Sequence, residues 1–181
     1  MRTSTPKGVS WLPLVLSFLL VFLLASAGCR KSANETLFLN FDPDSSSGFL
    51  SSGWSGWEKT LQGDTFVWCQ GRDGKVRVES RADGDRLVRF RCWPFRFAGA
   101  PPQTVTLFVN DARVETVGLA DDPRVYTMPT PQAVWKKGAN ELRFSFAYAE
   151  APRDRAPGSS DARTLAAAFD WLEIVRPART P

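Results

Sequence analysis

Histidine is absent from all 181 residues. The commonest general base and the commonest zinc ligand are therefore missing, and with them every Ser-His or Cys-His arrangement. Cysteine occurs three times, at Cys29, Cys69 and Cys92. Helical periodicity is nearly absent beyond residue 35. No internal repeat appears, and nothing marks a second domain. Long apolar runs are lacking too. The strongest, Trp11 to Leu24, is 14 residues long, short of the roughly 20 that a helix needs to cross a bilayer.

What that run does is decided by its flanks. Arg2 and Lys7 precede it, Pro13 and Ser17 interrupt it, and Ala25-Ser26-Ala27-Gly28 follow, directly before Cys29. A charged start, a short apolar stretch and small residues make an export signal. The cysteine after the small residues resembles the lipobox of bacterial lipoproteins. That resemblance implies a signal peptide over 1–28, with Cys29 as the first mature residue and the site of lipidation by palmitate-like chains. Ser26 stands where that pattern usually has Leu. An ordinary secretory signal cut near Ala27, or an uncleaved anchor, are the alternatives. Stable anchoring takes more than one acyl chain. Arg30, rather than an aspartate, follows the cysteine, which by resemblance favours the outer membrane on its periplasmic side. The expected partners are thus a membrane, reached through the lipid, and a glycan or protein of the cell envelope.

Without residues 1–28, two of the 23 basic residues are lost and none of the 19 acids. The remaining net charge, +2, gives a nucleic-acid partner little support. The remaining 153 residues suffice for one core. Residues 29–35 read as a polar tether, 36–176 as the domain and 177–181 as a tail. In an oxidising compartment Cys69 and Cys92 are candidates for a disulfide. Such a bridge would add about 3 kcal/mol in the chain-entropy model. Buried free thiols are the alternative.

Short apolar alternations recur at period two, bounded by Gly, Pro, Asn or Asp. They cover "TLFLNF" (36–41), "TFVWCQ" (65–70), "KVRVES" (75–80), "RLVRFRCWPF" (86–95) and "QTVTLFVN" (103–110). "ARVETVGL", "RVYTMP", "ELRFSFAY" and Phe169 to Val175 complete the set. Pro94 cannot donate to a ladder and marks a strand end or edge. The alanines of "ARTLAAAF" predict a turn or short helix at 163–167. Eight or nine such strands predict an all-β, two-sheet antiparallel jelly-roll sandwich.

"GWSGWE" (53–58), "CWPF" (92–95), "VTLFVND" (105–111), "GANELRFSFAYAEAP" (138–152) and "SSDARTLAAAFDWLEI" (159–174) follow one another in an order that resembles a known family. It is that of the galactose-binding-like jelly-roll modules appended to bacterial sulfatase-like enzymes and membrane glycosyltransferases. The resemblance implies a non-catalytic accessory role, often in contact with carbohydrate. No enzyme domain follows it here, so a structural or protein-interaction lipoprotein serving a separate enzyme is the alternative.

Trp54 and Trp57, in a Gly/Ser-rich loop, are flat platforms for a sugar ring, with Glu58 beside them to accept from hydroxyls. Their alternative is capping one end of the sandwich. Arg89, Arg91 and Trp93 alternate on one strand face. With Arg153 and Arg155 in the late loop, these guanidinium forks point to an anionic glycan. Asp161 and Arg163 read as a structural ion pair, with Glu58 a further partner for Arg163. Trp68, Trp93, Trp135 and Trp171 are expected mostly in the core. Asp42, Asp44 and Glu173 are acids to weigh for calcium but read as solvated, so no metal and no cofactor is expected. Glu58, Asp170 and Glu173 could supply a glycosidase pair, yet nothing singles one out, and the protein reads as a binder, not an enzyme.

Overall fold

A computed structural model describes residues 36–81 and 83–178. The expected signal peptide, the tether and Cys29 lie outside the described residues. Among the described residues the strands are β1 (Leu37–Asn40), β2 (Leu50–Ser52), β3 (Trp54–Lys59), β4 (Thr65–Gln70), β5 (Asp73–Ser80), β6 (Arg86–Pro94), β7 (Thr104–Val109), β8 (Ala112–Gly118), β9 (Arg124–Thr130), β10 (Gly138–Phe146) and β11 (Leu165–Val175). They form two antiparallel sheets. One runs β3-β4-β11-β6-β9, with β1 also on β11; the other runs β2-β5-β10-β7-β8. The all-β jelly-roll sandwich expected from the strand pattern is the fold observed.

Alternation places the core between the sheets. Val88, Phe90 and Cys92 of β6 face inward, as do Val105, Leu107 and Val109 of β7 and Leu142, Phe144 and Phe146 of β10. Phe169 is fully buried among rings at centroid distances of 5.1 Å (Phe144), 5.3 Å (Trp54), 5.5 Å (Phe90) and 5.8 Å (Phe41). One edge of β11 pairs with β6 along most of its length. Its other edge meets β4 through Phe169 and β1 from Trp171 on.

Three expectations are corrected. Residues 163–167 form no helix; β11 starts at Leu165, and Ala166, Ala167 and Ala168 are wholly buried. Ala168 lies opposite both Trp68 and Trp93, and a small side chain is what fits between two indoles. Strand pairing on both edges overrides the helix propensity of alanine. The Gly/Ser-rich stretch at 53–58 is not a loop but edge strand β3, paired with β4 across an irregularity between Trp54 and Trp57.

Third, Cys69 and Cys92 are not bridged. Cys69 is on β4 and Cys92 on β6, with β11 between them. Two strand spacings of about 4.8 Å put the α-carbons beyond the roughly 7 Å that a disulfide spans. Both are buried free thiols. Burial pushes the Cys69 thiol up to about 12 and raises that of Cys92 as well.

Candidate functional site

The outer face of the six-stranded sheet gathers aromatic and charged side chains that alternation turns away from the core. Register aligns two rows across it. Asn40, Trp171, Arg91 and Val125 make one; Phe38, Glu173, Arg89 and Thr127 make the next. Phe38 is 54% exposed and its ring lies 5.9 Å from that of Trp171. Trp93 continues the Arg89–Arg91 face, as the strand pattern predicts, and packs at 5.3 Å against Phe66. From Phe66 a line of rings runs through Trp68 and Phe95 to Phe97.

Between the rings the charges are matched. Arg89 Nη1 donates to Glu173 Oε2 at 2.6 Å, and Arg91 Nη1 donates to Asp170 Oδ2. Asp170 sits at a register shift in β11, and its backbone carbonyl accepts from the Phe41 N–H. The stripe therefore carries no net charge, unlike the cationic face expected from the arginines alone.

Trp68, Trp93 and Trp171 are partly exposed on this face, against the expectation that they belong to the core. Their strand neighbours Val67, Cys69 and Cys92 take the inward positions. Trp135 alone of that set is buried, its indole N–H donating to Thr130 Oγ1.

Trp54, Trp57 and Glu58 do not join the aromatic face as one group. The Trp54 ring packs on Phe41 and Phe169, and its N–H donates to the Lys75 carbonyl at 2.8 Å, so it is a structural anchor. Trp57 is 41% exposed and donates to the buried Ser46 hydroxyl. Both rings border a small cavity of about 230 Å³ with Ser47, Ser51, Ser52 and Ser55. Glu58 accepts from Arg163 Nη1 at 2.5 Å. Arg163 is also bidentate on Asp161, donating from Nε at 3.0 Å and from Nη2 at 2.6 Å. This three-residue clamp ties the 149–164 segment to β3. The guanidinium holds the Asp161 carboxyl down at about 2.

Arg153 and Arg155 lie on the one-turn helix Pro152–Arg155. Arg155 grips Glu150 with two hydrogen bonds and lies over the Phe97 ring at 5.1 Å. Arg153 faces its neighbour Asp154 at 3.6 Å. The acids weighed for catalysis, Glu58, Asp170 and Glu173, are each engaged by a different arginine. Asp42 caps the Pro43–Ser46 turn: its Oδ1 accepts from the Ser45 N–H and its Oδ2 from the Asn40 amide, both at 2.6 Å. Those bonds lower its carboxyl from the ordinary value. Among the described residues no three His, Cys, Asp or Glu side chains converge as a metal-ion cage.

Sequence reasoning missed Phe38 as a surface ring, and missed the acids that neutralise Arg89 and Arg91. The first signal was present: in "LFLNF", Leu37, Leu39 and Phe41 share a side, which leaves Phe38 and Asn40 on the other. The acids could not be assigned without the β6–β11 register.

No protein-family model matches the sequence, and no curated protein does. Solved structures do match. The CBM35 module from Cellvibrio japonicus Abf62 superposes with a TM-score of 0.51 at 16% identity, over 78% of this chain and 95% of its own. The GH26-CBM35 β-(1,4)-mannanase of Podospora anserina gives 0.50 at 10% identity, over 81% of this chain and 28% of its own. At such identities the likeness is one of fold. The chain has the jelly-roll sandwich fold that carbohydrate-binding modules also adopt.

Proposed function

We propose that this protein is a non-catalytic carbohydrate-binding module carried on an exported, lipid-anchored chain. The observation that carries the binding half is the outer face of the six-stranded sheet. Indole and phenyl rings offer flat apolar surfaces for the C–H faces of pyranose rings. Arginine–carboxylate pairs lie between them to exchange hydrogen bonds with hydroxyls. The Cellvibrio japonicus structure is by name a carbohydrate-binding module, and the shared fold supports the reading by analogy. The anchoring half rests on the sequence before Cys29, and its ordering implies the envelope as the place of work.

The binding test is titration of glycans into the protein and its Trp171→Ala and Phe38→Ala variants. Each substitution is expected to weaken binding about tenfold, or ~1.4 kcal/mol, with the melting temperature little changed. Intact binding with a lowered melting temperature would make those rings structural. Capture of a defined envelope protein, with no glycan bound, would favour the protein-interaction role instead. For the anchor, palmitate labelling in cells is expected for the natural chain and lost in Cys29→Ala.

A further inference from the structure

We infer that the glycan taken by the outer face of the six-stranded sheet is uncharged, and that the face selects against uronate-bearing and sulfated polymers. This rests on the carbohydrate-binding reading above. Its basis is the state of the two arginines that would otherwise attract an anion. Arg91 is already paired with Asp170, which is only 8% exposed. Arg89 is already paired with Glu173. An anionic ligand would meet guanidinium groups whose charge is already balanced, and to form a two-pronged pair of its own on the bonded edge it would have to displace one of these carboxylates. Displacing Asp170 leaves a nearly buried charge without its partner, which is strongly unfavourable. Approach to Glu173 adds like-charge repulsion on the same face.

The same pairs suit a neutral ligand. Each uses one guanidinium nitrogen and one carboxylate oxygen: Arg89 Nη1 with Glu173 Oε2, Arg91 Nη1 with Asp170 Oδ2. Further guanidinium N–H groups and the second carboxylate oxygen of each pair have no protein partner among the described residues. A donor and an acceptor thus stand side by side at each pair. A sugar hydroxyl, which donates and accepts at once, matches that arrangement; a carboxylate or sulfate, which only accepts, does not. Trp171 lies beside Arg91 in the register and Phe38 beside Glu173, so a ring stacked on either indole or phenyl brings its hydroxyls to a pair.

Matched polymers that differ only in charge decide the point. The full chain, held in non-ionic detergent, is run through native gels containing hydroxyethylcellulose or carboxymethylcellulose, galactan or polygalacturonate, and dextran or dextran sulfate. At least one uncharged polymer is expected to retard it, with affinity about tenfold or more above that for its charged match. The retardation should persist at high salt, because screening acts on net charges. Glu173→Gln, which frees Arg89, is expected to add salt-sensitive retardation by a charged polymer. Retardation by charged polymers alone in the natural chain would overturn the inference and leave the carbohydrate-binding reading standing. Retardation by none of the six would overturn that reading itself.

Discussion

Phe169 shows how much one side chain carries. It touches five other rings, Phe146 being the fifth at 6.1 Å, and none of its surface reaches solvent. Phe169→Ala is expected to cost about 3–5 kcal/mol, read from denaturant unfolding, because the neighbouring rings cannot close the void. The cysteines give a second prediction at this scale. With buried, proton-holding sulfurs, Cys69 and Cys92 should resist alkylation in the folded protein even at mildly alkaline pH. Both should react once urea is added; labelling of the native fold would contradict their placement. Tryptophans were the least legible residues. An indole suits a core and an exposed platform equally, and only the folded chain separates Trp135, buried beside the turn before β10, and Trp54, packed on the core rings, from Trp93 and Trp171, turned out. The arginines were legible as a face but not as a charge, since their partners lie some eighty residues further along the chain.

Among elements, the strands with strict alternation were readable because burial of one face imposes the period. β3 was not, because glycine and serine disguise it. Its entry depends on Gly53, whose φ of +79° suits glycine and whose absent Cβ would stand 1.9 Å from the Asp73 carbonyl oxygen. Gly53→Ala should therefore destabilise by about 1–3 kcal/mol from backbone strain alone, and more from the clash, measured as a lowered melting temperature. The clamp of Arg163 on Asp161 and Glu58 fixes the 149–164 segment to that strand. Its pH dependence follows from sign. The Asp161 carboxyl lies at about 2 in the fold against 3.8 ordinarily, so its contribution is complete above about pH 4 and fades as pH falls toward 2. Asp161→Asn should accordingly lower the melting temperature slightly at neutral pH, and the gap from the natural chain should close at pH 2. A gap that widened in acid would exclude this role. The final strand defeated propensity reasoning for a different reason: three alanines favour helix in isolation, but neighbouring strands claim their backbone, and the two indoles opposite Ala168 require its small size.

At the scale of the molecule the two outer faces differ in kind. The five-stranded sheet presents Lys75 with Glu141 at 2.8 Å, Arg143 with Asp73 at 3.3 Å, and Thr106 with Thr116 at 2.7 Å. Its outward ring among these strands, Phe108, is covered by the Arg143 guanidinium at 3.8 Å, in contrast to the row of rings on the other sheet. Thr106→Ala is expected to leave glycan affinity unchanged and stability within about 0.5 kcal/mol; a loss of binding would move the site to this face. The opposed arrangement of the first and last strands among the described residues has a mechanical consequence. β1 runs antiparallel to β11, from Leu37 opposite Ile174 to Asn40 opposite Trp171. A pull applied through residue 36, resisted by a polymer gripped at Trp171, would act along the strand axis. The hydrogen bonds of that pair would then bear the load together in shear instead of parting one by one, the geometry in which a short ladder holds best under tension.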